Sequence, residues 1–116
     1  SILENLTTDR EGFLFKLRDL FEVIPSLTPE EAPVVQAVKR AVNEVMGSPP
    51  EMVVSPGTYD QKHIDRIGKL EDCIAYGPGI LTLAHQADEY VNISDMVDSA
   101  CVMGLALDDL LHGKKK

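Results

Sequence analysis

The sequence is poor in aromatic residues and has no long apolar run. It contains no tryptophan, three tyrosines and three phenylalanines, so aromatic side chains make up only 5% of its 116 residues. Any hydrophobic core must therefore be aliphatic, and 44% hydrophobic residues suffice for one in a chain of single-domain length. No stretch approaches the roughly 20 apolar residues of a membrane-spanning helix, so we predict no membrane partner.

Basic residues are also scarce. Eleven Lys and Arg stand against nineteen Asp and Glu, which gives a net charge of −8. An acidic surface repels phosphate backbones, so nucleic acid is not an expected partner. The one basic run is a tail of three lysines at 114–116, too short to change that conclusion.

The chain starts Ser1-Ile2-Leu3-Glu4, without an initiator methionine and without the basic start and apolar stretch of a signal peptide. We therefore expect processing, cloning or cleavage inside a longer protein to have set this start. The two cysteines, Cys73 and Cys101, lie in apolar surroundings and are predicted to be free, buried thiols. Because cytosolic proteins rarely carry disulfides, this predicts a cytoplasmic protein.

Three segments carry helix signals. Residues 28–31 (Thr-Pro-Glu-Glu) have the form of a capping box, with Thr28 as the cap, but Pro33 removes an amide that the second turn would use. We predict a short turn, then a helix from Pro33 that ends at Gly47. A second helix is predicted over 59–67, with Ile64 and Ile67 facing inward and Gly68 ending it.

The last predicted helix starts at residues 93–95, with Ser94 as its cap, and ends at Gly113. Apolar residues recur along it at spacings of three and four, which predicts a well-buried helix. This stripe consists of Val97, Ala100, Gly104, Leu107 and Leu111, widened by Met96, Met103 and Leu110.

Two short apolar runs, residues 52–54 and 73–76, are predicted to be strands. Residues 13–24 fit both a strand alternation and a helix face; their Phe and Val content and the preceding Gly12 favour a strand. Strands that alternate with helices predict an α/β fold with a parallel sheet. The edges of so small a sheet would be exposed unless something pairs with them.

His85 is the residue most open to a chemical role. It follows a predicted strand and a Gly-Pro-Gly turn, and ligands of open α/β sheets bind beyond the carboxyl ends of strands. An imidazole there can bind a metal, and the carboxylate of Asp88 or Glu89 could orient it. Spacing alone is a weak signal, because no second His, Cys pair or acid cluster completes a metal site. His112 is interpreted as exposed; His63 is interpreted as solvated or as lining a cleft.

Three motifs in order carry a family resemblance: residues 55–60 (Ser-Pro-Gly-Thr-Tyr-Asp), 76–79 (Tyr-Gly-Pro-Gly) and 84–90 (Ala-His-Gln-Ala-Asp-Glu-Tyr). They resemble the C-terminal segment of the acetylornithine deacetylase and succinyl-diaminopimelate desuccinylase family. These are cocatalytic metallo-amidohydrolases related to aminoacylases and carboxypeptidase G. The resemblance implies that 28–113 is the second half of a split catalytic α/β domain, with a short parallel sheet flanked by helices. Residues 1–27 would then contain the last strand of an inserted dimerisation domain, and 114–116 a basic tail.

The resemblance also implies site residues. His85 would be a ligand of one of two metal ions, zinc or cobalt, which in such enzymes polarise the carbonyl and activate a water. No residue here matches the other ligands or the Glu general base, so no catalytic residue is predicted, and Glu89 is not given that role. Gly57, Thr58 and Gly79 would contact the substrate, since glycines let backbone amides approach an anionic group. Alternatively they only form loop turns, and Asp60 caps the next helix.

The resemblance therefore implies a C-terminal fragment of a metal-dependent deacylase, inactive by itself. The parent enzyme would be a cytoplasmic homodimer that hydrolyses the amide bond of an N-acyl amino acid or related amine, such as acetylornithine or succinyl-diaminopimelate. The alternative is a non-catalytic, free-standing interaction or oligomerisation module that associates through exposed sheet edges or the final apolar helix.

Overall fold

The computed structural model describes residues 16, 18–55, 57 and 59–113. The predictions that concern 1–15, Leu17, Thr58 and the tail at 114–116 lie outside these residues. Within the described residues, three α-helices form in the order α1 (Pro33–Met46), α2 (Gln61–Arg66) and α3 (Ile93–His112), with a 3₁₀ helix at Leu81–Leu83 before α3.

Helix α1 has the predicted bounds. Residues 30–32 form a turn, and the helix then begins with Pro33, which occupies a first-turn position that needs no amide donor. Gly47 ends it in the left-handed conformation (φ 74°), and its N–H donates to the Asn43 carbonyl over 3.0 Å. The predicted Thr28 cap is wrong. Its hydroxyl instead contacts the carbonyls of Glu71 at 2.9 Å and Cys73 at 2.5 Å.

Helix α3 also has nearly the predicted bounds, but its cap differs. Asn92 occupies the N-cap position and its side-chain amide donates to Asp95 over 3.1 Å, so the predicted Ser94 cap is wrong. Gly113 ends the helix, and its N–H donates to the Asp109 carbonyl over 2.7 Å. A Cβ at this position would lie 2.1 Å from that carbonyl oxygen, so the chain path requires glycine.

The core of the described chain lies between α1 and α3. It consists of small aliphatic residues: Ala37, Ala41 and Val42 from α1, and Val102 and Ala106 from α3, with Val38 and Val45 packed against them. Small side chains let the two helix axes approach closely. An ion pair between Arg40 and Asp109 joins the same helices over 2.5 Å. Ser99 is buried beside this core, and its hydroxyl has no partner among the described residues.

The predicted apolar stripe of α3 does not face this core. Val97, Leu107 and Leu111 are 57%, 56% and 68% exposed, so the prediction of a well-buried helix is wrong for the described structure. The physical reason is that α3 has a second face of small residues, Ser99, Val102 and Ala106, on nearly the opposite side. Helix α1 packs on that face and leaves the larger apolar side chains uncovered.

The described residues form no strand, so the structure does not support the predicted parallel sheet. Residues 52–54 are exposed, with Val54 at 93%. In the run 73–76, Cys73 and Ile74 are half-buried and Ala75 and Tyr76 are exposed. A strand needs a neighbour for its amides and carbonyls, and these two runs are not paired with one another. Residues 18–24 form neither strand nor helix, so the strand preference for 13–24 is not supported in its described part.

The chain is also more extended than a closed domain of its length. Its radius of gyration is 20.5 Å, against about 13 Å for a compact chain of this size. Ile64 and Ile67, predicted to face inward, are exposed, because no other described helix packs against α2. Both cysteines are free as predicted, but Cys101 is exposed and Cys73 only half-buried. In the described part, no helix has the length and apolarity to cross a membrane.

Candidate functional site

The loop around His85 is built from consecutive tight turns. Gly79 adopts a positive φ of 94°, the 3₁₀ helix Leu81–Leu83 follows, and residues 84–88 form further turns. A Cβ on Gly79 would lie 3.6 Å from the Val91 side chain, an ordinary contact. The backbone conformation, not lack of space, therefore favours glycine at this position.

His85 itself adopts a left-handed conformation, with φ 65°, and its side chain is exposed. Its backbone N–H donates to the Glu89 carboxylate over 2.9 Å. The sequence predicts that the carboxylate of Asp88 or Glu89 orients the imidazole through a ring nitrogen. In the structure Glu89 instead holds the main chain of His85, and none of the described hydrogen bonds involves the imidazole.

The predicted metal site requires further ligand side chains near His85. Among the described residues, no group of three or more His, Cys, Asp or Glu side chains is placed to hold a metal ion. Protein zinc sites take three or four protein ligands, and one imidazole cannot hold a catalytic ion. The described residues therefore do not by themselves form the two-metal site of the resembled family, and His85 stands as a single candidate ligand.

The loop at Gly57 is held by its own side chains. The Gly57 N–H donates to the Ser55 hydroxyl over 3.2 Å, and that hydroxyl shares a hydrogen bond with the Tyr59 hydroxyl at 2.9 Å. A Cβ on Gly57 would lie 3.2 Å from the Tyr59 ring, tighter than an ordinary contact. Glycine thus lets the loop close around the Ser55–Tyr59 pair. No described hydrogen bond joins this loop to Gly79, and the substrate contacts predicted for Gly57 and Gly79 stay predictions.

A cluster that the sequence did not reveal ties together the segments leading to these loops. The Cys73 carbonyl accepts from the Thr28 hydroxyl and from the Gln61 side-chain amide, and the Cys73 N–H donates to the same hydroxyl over 3.3 Å. The link spans 45 residues of sequence, so no local periodicity could indicate it. It positions the start of the segment that leads through Gly79 to His85.

His63 is exposed, and with the neighbouring face of α2 and residues 21–25 it borders an open cleft of about 560 Å³, so both interpretations of His63 stay predictions. His112 is exposed and lies 2.9 Å from Asp108. Asp60 occupies the N-cap position of α2 without a side-chain capping bond. At the start of α1, a hydrogen bond from Lys39 and its charge lower the pKa of Glu30.

Comparison with known proteins adds information on ancestry. Peptidase family M20/M25/M40 matches residues 14–109. The chain is 36% identical to the succinyl-diaminopimelate desuccinylase of Hydrogenovibrio crunogenus over 73 residues, 63% of this chain and 18% of the relative. It is 32% identical to that of Nitrosomonas europaea over 103 residues, 89% of this chain and 26% of the relative. It is 31% identical to the succinyl-diaminopimelate desuccinylase of Nitrosomonas eutropha over 117 residues, which cover 96% of this chain and 30% of the relative.

The chain thus spans less than a third of the length of these curated relatives. No solved structure matches it.

Proposed function

The chain belongs to peptidase family M20/M25/M40, and from this membership we propose that it is the C-terminal segment of a metal-dependent deacylase. The whole enzyme would hydrolyse the amide bond of an N-acyl amino acid. The names of the relatives, all succinyl-diaminopimelate desuccinylases, favour a succinylated amine as substrate. In this proposal residues 1–27 end an inserted dimerisation domain, residues 28–113 are the second half of the catalytic domain, and 114–116 are a tail.

The observation that carries this proposal is the incomplete site at His85. Its imidazole is exposed on a loop fixed by tight turns, and the described chain offers no further ligands around it. A lone imidazole in this family motif is expected when the other ligands and the general base come from sequence outside this chain. The metal in the whole enzyme would be zinc or cobalt, with His85 as one ligand, and Gly57, Thr58 and Gly79 beside the substrate.

Uncovered apolar surface supports the same proposal. The α3 stripe and residues 52–54 are exposed, and large exposed apolar patches mark surfaces that contact other polypeptide. We propose that residues 52–54 and 73–76 become strands of the family's sheet once neighbouring strands are present. The parent enzyme would be a homodimer, and the two free thiols fit a cytoplasmic location.

The isolated chain provides the test. We expect no hydrolysis of N-succinyl-diaminopimelate or acetylornithine, and zinc binding too weak to saturate at micromolar metal, measured by calorimetry. His85→Ala is the matched control and should remove most of the weak binding. Tight one-to-one zinc binding together with hydrolysis by this chain alone would contradict the proposal.

A second candidate is a non-catalytic oligomerisation module, and the spacing of the α3 stripe favours it. Exposed apolar residues recur at intervals of three and four along about four turns, the pattern of helices that pair with one another. Sedimentation of the metal-free chain separates the two. A stable homo-oligomer that is broken by Leu107→Glu would favour the module, whereas a monomer that precipitates would favour the segment of a larger enzyme.

A further inference from the structure

We infer that Glu89 is a positioning residue, whose carboxylate holds the backbone of His85 in the conformation that presents the imidazole. The inference rests on the proposed function in that it takes His85 as a metal ligand. It goes further by giving a role to a residue that the family resemblance left without one.

The first step of the argument is the backbone. Two non-glycine residues of this turn, His85 and Asp88, have positive φ values of 65° and 64°. Such conformations are sparsely populated outside glycine and persist where surrounding contacts hold them. Something in the turn must therefore favour this path over a continuation of the 3₁₀ helix Leu81–Leu83.

The second step is the pattern of amide partners. The amides before and after His85 both have local carbonyl acceptors: Ala84 donates to Leu81 over 3.1 Å and Gln86 donates to Leu83 over 3.1 Å. The amide of His85 instead donates to Glu89 at 2.9 Å. A hydrogen bond to a carboxylate is stronger than one to a neutral carbonyl. Glu89 thus supplies the contact that distinguishes this turn from a helical one.

The third step concerns the two ring nitrogens of His85. Because Glu89 engages the main chain, both ring nitrogens of His85 stay without a partner among the described hydrogen bonds, one to bind a metal and one to be oriented. Metal-binding histidines depend on neighbouring groups that fix their direction. Here the Glu89 contact fixes the main chain of His85, and with it the direction of the Cα–Cβ bond from which the imidazole extends. Asp88 carries the same charge and a similar φ but makes no described contact with His85, which makes it a matched control.

The test is amide hydrogen exchange of the full chain, followed by NMR. Glu89→Ala removes the acceptor and should raise the exchange rate of the His85 amide roughly tenfold. Glu89→Gln keeps an acceptor oxygen and should recover most of the protection, and Asp88→Asn should leave it unchanged. Equal exchange of the His85 amide in the parent chain and all three variants would overturn the inference.

This measurement needs neither metal nor substrate, so its outcome is separable from that of the proposed function. If the protein proves unrelated to deacylation but the His85 amide is protected, the proposed function is wrong and the Glu89 contact is confirmed. An unprotected His85 amide would remove the positioning role even if His85 is shown to bind metal.

Discussion

Replacing Val102 by alanine tests the α1–α3 packing on which the described fold depends. Val102 is 0% exposed and lies among Ala37, Ala41 and Ala106, small residues that cannot move inward to fill a gap. The change removes two methyl groups, worth about 0.8 kcal/mol each, and adds a cavity cost, so we expect a loss of about 2 kcal/mol. Only six hydrophobic residues are buried in the described chain, so this loss should open the helix pair.

The assay is urea unfolding followed by far-ultraviolet circular dichroism. Val97→Ala is the matched control, because it makes the same chemical change on the same helix at a position that is 57% exposed. We expect its effect to stay within about 0.5 kcal/mol. Equal losses for the two variants, or a larger loss for Val97→Ala, would refute the packing, because they would mean that the α3 stripe is the covered face.

Three further predictions use the same unfolding assay. Ser99→Ala should stabilise the chain by roughly 1 kcal/mol, since the buried hydroxyl has no described partner and alanine favours helix; destabilisation would reveal a missed partner. Arg40→Ala should cost less than about 1 kcal/mol, because its pair with Asp109 is exposed. Because the pKa of Glu30 is lowered from its ordinary value of 4.5, the stability it contributes is present above that pH and is lost as the pH falls. Glu30→Gln should therefore weaken the acid dependence of stability.

Signals confined to a few neighbouring residues predicted structure well. The start of α1 at Pro33 and its end at Gly47 follow from the proline and glycine themselves, as does the end of α3 at Gly113. These residues act through their own backbone geometry, which depends little on what the rest of the chain does.

Predictions that depended on a distant partner did worse. The apolar stripe of α3 is a real feature of the sequence, but periodicity does not say which of two possible faces meets a neighbour. The same holds for residues 52–54 and 73–76, whose composition suits strands that need pairing. The hydroxyl of Thr28 joins segments 45 residues apart, a contact without any local signal.

At the candidate site, the sequence predicted where His85 lies but not the side-chain contacts around His85 and Gly57. The preceding Gly-Pro-Gly turn predicted His85 as a loop residue, and the structure places it in a series of turns. The contact from Glu89 to the His85 amide, and the Ser55–Tyr59 pair around Gly57, appear only in the folded chain. Among the described residues, no group of three or more His, Cys, Asp or Glu side chains forms around His85.

We propose that His85 is a metal ligand of a deacylase whose other metal ligands and general base lie outside this chain. The most direct measurement is hydrolysis of N-succinyl-diaminopimelate by the Nitrosomonas europaea relative, with its matched segment replaced by this chain. We predict measurable hydrolysis that His85→Ala abolishes and that His63→Ala, the matched control, preserves. A graft that folds, hydrolyses the substrate and is indifferent to His85→Ala would contradict the account.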